Sequence, residues 1–442
     1  MQEHDLLGGL DAFLSTHADE LVTLRRDLHA HPELGYHEHQ TTRLVAARLT
    51  AAGLRPAILP KGTGMVVDIG DAAGPVVALR ADLDALPISD EKNVPYRSTV
   101  RNTCHACGHD VHTAILVGAG LFFARLAAAG GLPGRVRLIF QPAEEVPGGA
   151  LDVLAAGGIA SADRIFALHC DPRLDVGKVG LRTGPITAAC DKIVVRVAGP
   201  GGHTARPHLT ADLVYALGKI VTELPAALSR RVDPRSSLSL VWGRVSAGSA
   251  PNAIPDDGIA EGTVRCLDDE AWHAAPDLLK ALIDSVASAY GVLAELSYQR
   301  NVPPTVNEAA SVQMLADAVE KVLGGDAAAP APQSLGGEDF AWYLESIPGA
   351  LARLGTRGTD MAADLDLHQG GFDIDERAIG MGVKVMVATA FEALGGGLAS
   401  SGSPRSAGHG AGTGQGTGPD HRRAASHRAG LTTAVSRPTA LG

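Results

Sequence analysis

Cys104–Thr113 reads Cys-His-Ala-Cys-Gly-His-Asp-Val-His-Thr, so ten residues carry two thiols, three imidazoles and a carboxylate. Soft and borderline ligands at that density point to a metal ion. Three other readings fit less well. Cys104-x-x-Cys107 alone could be a redox pair, but that motif belongs on a strand-to-helix unit whose surroundings acidify the first thiol. A c-type haem needs a His directly after the second Cys, and here Gly108 intervenes. A closed structural zinc site needs two more ligands at short spacing, and no second cluster follows. The expectation is therefore an open, catalytic metal site, with its other ligands drawn from elsewhere in the chain.

The spacing of apolar residues says which elements bring them. Residues 111–128 (Val111, Ile115, Leu116, Phe122, Phe123, Leu126) predict a helix, so the cluster is a loop feeding it. Upstream, Leu21, Leu24 and Leu28 mark a helix over 17–30 that stops at His31-Pro32, and a second over 38–52 ends at Gly53 as a C-cap. The imidazoles of His29, His31, His37 and His39 are read as hydrogen-bonded or solvated, not as ligands. Short apolar runs bounded by Gly, Pro and Asp predict strands at 65–69, 75–80, 134–140 and 164–168. The second leads into Asp82-Leu83-Asp84, the third into Glu144-Glu145, and the fourth ends at His169. Strands alternating with helices predict a mixed α/β fold with strands buried on both faces. In such sheets ligands bind beyond the carboxyl ends of the strands, where Asp82, Glu144, Glu145 and His169 all fall.

From residue 192 the texture changes. Strands at 192–198, 237–245, 258–266 and 293–299 and helices over 210–230 and 269–290 give the order β-α-β-β-α-β, that of a ferredoxin-like split unit. It reads as an insertion, because the first texture resumes with helices at 309–323, 336–345 and 375–394 and a strand at 350–355. Between the last two lies His368 in a loop. The domain expectation is a discontinuous catalytic domain, 1–186 with 302–395, an inserted domain over 187–301, and a disordered tail over 396–442. That tail is rich in Gly, Ser, Ala, Thr and Pro and has no apolar periodicity with which to repay the entropy of ordering.

Composition narrows the function. With 442 residues, 45% hydrophobic and 20% charged, the chain is an ordinary globular protein long enough for two domains. Its net charge of −11 and lack of a basic run in the body argue against nucleic acid or anionic membrane as partner. The acidic start Met1-Gln2-Glu3-His4-Asp5 leads into no long apolar core, so no secretory signal or membrane span is expected. Five scattered cysteines make no disulfide framework, which suits a reducing cytoplasm.

Cys107, His109, Asp82, Glu144, Glu145, His169 and His368 are too many for one catalytic zinc, which takes three protein ligands and a water. Two divalent ions about 3.5–4 Å apart, sharing a bridging water, would use them. The tandem Glu144-Glu145 suits a division of labour, because neighbours in extended chain point opposite ways. One carboxylate can ligate while the other, its pKa raised by burial or by other acids, moves the proton.

Seven ordered motifs then carry a family resemblance across residues 17–395. They are His31-Pro32-Glu33-Leu34-Gly35, Arg80-Ala81-Asp82-Leu83-Asp84-Ala85-Leu86-Pro87, His105-Ala106-Cys107-Gly108-His109-Asp110 and Gln141-Pro142-Ala143-Glu144-Glu145, then Gly201-Gly202-His203-Thr204-Ala205-x-Pro207-His208, Pro251-Asn252-Ala253-Ile254-Pro255 and Gly336-Gly337-Glu338-Asp339-Phe340. The chain resembles the metal-dependent amidohydrolases that cleave N-acyl amino acids. That group includes hippurate and indole-acetyl-amino-acid hydrolases and is related to aminoacylase and carboxypeptidase G.

The resemblance implies a dinuclear-metallopeptidase-like catalytic domain with an inserted ferredoxin-like lid that also forms a homodimer. It implies metal ligands at Cys107, His109, Glu145, His169 and His368 and a general base at Glu144. It puts Asp82, and with it Asp110, behind the ligands as supports that orient an imidazole. It gives His203 of the lid the task of steadying the oxyanion in the partner's site, and Asn252 that of contacting substrate. The ions would be manganese or zinc, with nickel or cobalt also admissible for this ligand mixture.

The implied reaction is hydrolysis of an N-acyl-L-amino acid, a small-molecule substrate, to a carboxylic acid and a free amino acid. A dipeptidase or carboxypeptidase differs only in what fills the acyl pocket, and a non-catalytic metal-binding protein would not need Glu144. Cys104, Val111, Cys170 and Leu213 (after Asp212) depart from the family pattern without removing a ligand, and the tail has no counterpart in it.

Overall fold

The computed structural model describes residues 3–71, 74–359, 361 and 365–395; the expected disordered tail over 396–442 lies outside them. The described residues build one compact unit around two main cores.

The strand Val76–Asp82 is buried at every position, so its near-continuous apolar run is that of a central strand covered on both faces. It lies parallel to Arg135–Gln141 on one side and to Arg164–Asp175 on the other. Outward from these, Met65–Gly70 and Ala57–Ile58 add antiparallel strands at one edge. At the other, Gly349–Arg357 runs parallel to Arg164–Asp175, and Val179–Leu181 and Ala328–Pro330 complete an eight-stranded sheet. One face is covered by the helices Glu3–Ala30, His109–Ala128, Ala309–Leu323 and Arg377–Ala393, whose Leu21, Leu24, Phe123, Leu315 and Val383 share a single core. Each such fully buried side chain contributes about 1.5–3 kcal/mol. The opposite face packs Ile139, Ile165, Phe340 and Tyr343 under the short helices Gly149–Ala155 and Ala341–Leu344.

Several boundaries differ from expectation, and the site explains most of them. The core helix starts at His109, not 111, because Gly108 caps it with φ +86. Arg164–Asp175 does not end at His169: its neighbour pairs with it as far as Arg357↔Asp175, so the ladder runs on. The helix expected over 336–345 shrinks to Ala341–Leu344, because the side chains of Glu338 and Asp339 are drawn to Arg80, holding the chain out of helix. The first helix begins at Glu3, fourteen residues before the position its Leu spacing marked. His109–Ala128 is the one described helix long and apolar enough to cross a membrane, and two thirds of it is buried in the core.

Residues 189–302 hold the second main core. Their four strands lie in the order Ser239–Ala247, Asp257–Cys266, Ala189–Ala198, Leu293–Val302, antiparallel throughout. The helices Leu213–Arg231 and Asp269–Ala289 cover them, packing Leu217, Ile220, Leu279 and Ile283 against Ile193 and Val195. Both helices start on an aspartate N-cap: Asp212 accepts from the Tyr215 N–H and Asp268 from the Ala271 N–H. The chain enters and leaves this unit side by side, where Gly184–Thr187 pairs with Thr305–Asn307 and the hydroxyls of Thr187 and Thr305 are 2.5 Å apart.

Candidate metal centre

The loops that follow two strands, the middle of the strand Arg164–Asp175, one helix N-terminus and one late loop meet at a cavity of about 420 Å³ lined by Cys107, Glu144, Glu145, His169 and His368 among others. His109 joins them from beneath: its Nε2 lies 3.9 Å from Glu145 Oε1 and 4.0 Å from Glu144 Oε2. Cys107 Sγ is 3.5 Å from His169 Nε2, and His368 Nε2 is 3.3 Å from Glu145 Oε1. All five ligands expected from the sequence thus converge, with Glu144 among them. The donor atoms of Cys107, His109 and His169 lie within 4.8 Å of one another, as do those of Cys107, Glu145 and His368.

The set fits divalent cations. Buried polar atoms normally have partners, yet among the described residues His109 Nε2 makes no hydrogen bond, and Glu145 Oε1, 3.9 Å from it, has only the 3.3 Å ion-pair contact of His368 beside it. A cation between them would satisfy both. Burial also pushes the Cys107 thiol well above its ordinary range, so a thiolate there needs a positive ion beside it.

The imidazoles of His109 and His169 are aimed by backbone. His109 Nδ1 lies 2.9 Å from the carbonyl of Asp84, and His169 Nδ1 lies 2.8 Å from that of Cys170. Each Nδ1–H donates to its carbonyl, which leaves the Nε2 lone pair directed at the cavity. Burial disfavours charge on both rings. Arg353 and His112 add to this at His169, whose pKa falls well below the ordinary histidine value. At His109 the nearby Asp82 carboxylate reverses the balance and holds the pKa well above it.

Gly108 makes the turn between two ligands possible. Its φ is +86, and a Cβ there would meet Cys170 Sγ at 2.8 Å.

The supporting carboxylates are placed differently from expectation. Asp82 holds no ligand by hydrogen bond: Oδ1 takes His112 Nδ1–H at 2.6 Å and Oδ2 takes Arg80 at 2.5 Å, while His109 Nε2 stays 3.7 Å away. His112 Nε2 in turn accepts the Cys170 N–H at 2.8 Å, so Asp82 acts through His112 on the backbone next to His169. Asp110 faces away from the ligands. It accepts from Arg25 Nε at 2.8 Å and His29 Nδ1 at 2.7 Å in a buried ion cluster behind the helix, so it orients no described ligand. Successive helical residues point about 100° apart, and His109 takes the direction that faces the cavity.

The residue missing from the sequence-derived site is Asp84. Its Oδ1 and Oδ2 accept the backbone N–H groups of Glu144 and Glu145, each at 3.0 Å, while its carbonyl holds His109. One residue therefore sets both members of the Glu pair and a ligand. The spacing Asp82-x-Asp84 at a strand end was the available signal. The Oε1 of Glu38, fully buried, accepts the Ala143 N–H at 2.7 Å. Ala143 has φ +55, a strained value for a residue with a Cβ, and it turns the chain from the strand into the Glu pair. Burial, then the charges of Glu338, Glu145 and Asp339, raise the Glu144 carboxyl well above the usual range.

His203 and Asn252 sit together on the second unit, because Ala253 pairs with His203 and the Thr204 N–H donates to the Asn252 carbonyl. Both are exposed, and neither lines the cavity of its own chain.

An α/β sheet that gathers a thiol, imidazoles and carboxylates in one cavity, with a carboxyl of raised pKa among them, is what a metal-dependent hydrolase needs. The chain belongs to the peptidase family M20/M25/M40, whose model matches residues 78–392. It is 49% identical over 378 residues to a Rhodococcus jostii (strain RHA1) protein provisionally named glutamate–cysteine ligase 2-3; the match covers 85% of this chain and 47% of that protein, so the chain spans about half its length. It is 40% identical over 369 residues to the N-acetyl-L-cysteine deacetylase of Bacillus subtilis (strain 168), covering 83% of this chain and 86% of that one. Among solved structures, the Bacillus subtilis YXEP protein, described as a dinuclear metal binding peptidase from the M20 family, superposes with a TM-score of 0.76 at 35% identity, over 86% of this chain and 99% of that one.

Proposed function

We propose that the protein hydrolyses the amide bond of N-acyl-L-amino acids, releasing a carboxylic acid and a free amino acid. That it is a metal-dependent hydrolase follows from its family; the substrate class is our reading. The observation that carries it is the Asp84 clamp on the Glu144 and Glu145 N–H groups, which holds two carboxylates in one cavity: Glu145 beside His368, and Glu144 with the raised pKa that a proton carrier needs.

Cys107, His109, Glu145, His169 and His368 would hold the two ions, manganese or zinc foremost. Bound there, such ions would supply Lewis-acid polarisation of the scissile carbonyl and a nucleophilic water at neutral pH. Glu144, kept basic by burial and neighbouring acids, accepts the proton of that water and returns it to the departing amine. Residues 189–302, whose strand order is that of a ferredoxin-like split unit, serve as lid and dimerisation domain. Support for a dimer comes from Val241 and Val245 on its edge strand and from Leu209, Val214 and Tyr215, which all stand exposed. The exposed position of His203 and Asn252, away from their own cavity, suits a role across that dimer, with His203 at the partner's oxyanion. The location is a reducing compartment such as the cytoplasm, because all five cysteines are free.

The test is a panel of N-acetyl, N-benzoyl and indole-acetyl amino acids, with dipeptides alongside and metal supplied. Release of amino acid from the conjugates is expected. Silence across the conjugates sinks the reading, and turnover of dipeptides alone replaces it with a dipeptidase.

A further inference from the structure

The chemistry above leaves Arg353 without a task. It pairs in register with His169 on the neighbouring parallel strand. Register partners project to the same face of a sheet, about 4.8 Å apart, and both residues line the cavity. The guanidinium charge acts on His169, helping to keep that imidazole neutral. Yet among the described residues the Arg353 side chain makes no hydrogen bond and no ion pair.

The acids nearest to it are already engaged. Glu338 Oε1 is 3.2 Å from Arg80 and accepts the Phe340 N–H at 3.0 Å, and Asp171 is 3.2 Å from Arg173. Burial pushes the pKa of Arg353 below the ordinary arginine value. A half-buried cation with no partner among the described residues is costly, and a cavity that keeps one has an anion to receive.

Building on the hydrolase reading, we propose that Arg353 anchors the α-carboxylate of the N-acyl amino acid and so selects free acids over neutral analogues. The carboxylate carbon is attached to the same carbon as the scissile nitrogen. The carboxylate carbon is thus three bonds from the scissile carbonyl carbon, so a carbonyl placed at His169 leaves its carboxylate within reach of the Arg353 side chain on the adjacent strand. A guanidinium fork receives it through two parallel N–H···O bonds, with a directionality that lysine lacks. Arg265 also lines the cavity, but its guanidinium already donates to the Leu335 carbonyl, which leaves Arg353 as the lining arginine with no hydrogen bond among the described residues.

The probes are N-acetyl-L-leucine and its C-terminal amide, which differ only in that charge. Calorimetry on the metal-loaded Glu144→Gln chain reads binding without turnover. The acid is expected to bind about 10- to 100-fold tighter than the amide, the worth of a charge-assisted hydrogen-bonded pair. Adding Arg353→Met should erase most of that margin, while Arg353→Lys keeps part of it. The same ratio should collapse in kcat/KM when Arg353→Met is made in the active chain. An unchanged margin overturns the anchor, as does failure of the acid to bind. Equal weakening of both ligands at unchanged metal content also overturns it, since Arg353 would then only support the pocket. A wild-type chain that releases amino acid from none of the conjugates in the panel, while the Glu144→Gln chain shows an Arg353-dependent margin, removes the N-acyl-amino-acid reading and leaves the anchor standing.

Discussion

Asp84→Asn is the substitution that tests the site most directly. The asparagine has the same shape, but only one of its two terminal atoms accepts a hydrogen bond. One of the N–H groups of Glu144 and Glu145, each now 3.0 Å from a carboxylate oxygen, must then face an NH₂ group. Losing a hydrogen bond to a charged acceptor costs about 1.5–3 kcal/mol, and an N–H left unpaired in a largely buried turn adds about 1 kcal/mol or more. The sum, about 3 kcal/mol, is spent on the turn that sets both the proton carrier and a ligand. At 1.36 kcal/mol per decade, kcat/KM should fall about 100-fold. Metal affinity should fall as well, because Glu145 moves with its backbone. The assay is kcat/KM on the best conjugate from the panel, together with titration of metal into the stripped chain. The Asp84 carbonyl that holds His109 is retained, so the fold should survive, as judged by far-UV circular dichroism. A variant within threefold of wild type in both turnover and metal affinity refutes the argument that Asp84 clamps the pair.

Other outcomes follow from the same geometry. Glu144→Gln should keep its metal and lose about 10²- to 10⁴-fold in turnover, the usual worth of general acid–base catalysis; mixed with inactive His203→Ala chains, it should regain activity in a dimer-forming titration, and no recovery at any ratio removes the cross-dimer role of His203. Gly108→Ala should destabilise the fold by about 2 kcal/mol or more in urea unfolding, from a Cβ 2.8 Å from Cys170 Sγ and a φ of +86; an unshifted midpoint contradicts the packing argument. His29 has its charge opposed by burial, but Asp110 and Asp90 overcome this and raise its pKa to about 10. Since that exceeds the unfolded value, its contribution is fully present below about pH 6.5 and is lost as pH rises through 10. The stability gap between wild type and His29→Gln should therefore shrink across that window, and a gap that widens on the alkaline side would contradict the pairing.

Residue types and spacing were enough to single out the candidate ligands, and the family resemblance narrowed them to five. Cys107 and His109 flank a Gly in one loop, and Glu145 and His169 fall at or just past apolar strands whose burial is written in their composition. Apolar residues at helical spacing and short apolar runs bounded by Gly, Pro and Asp made most elements legible, because those signals act over a few residues. What the sequence could not determine was the task of each acid. Asp82 and Asp84 stand two apart at one strand end, yet Asp82 serves His112 and Arg80 while Asp84 serves the Glu pair. Asp110 follows a ligand directly and turns away to Arg25 and His29, residues some 80 positions earlier. Arg353 looks like any strand arginine until its register places it beside His169. Local preference chooses helix, strand and turn, and so fixes which residues can reach the carboxyl edge of the sheet. Which acid meets which base there depends on strand order and register across the whole chain, and only the folded structure decides that.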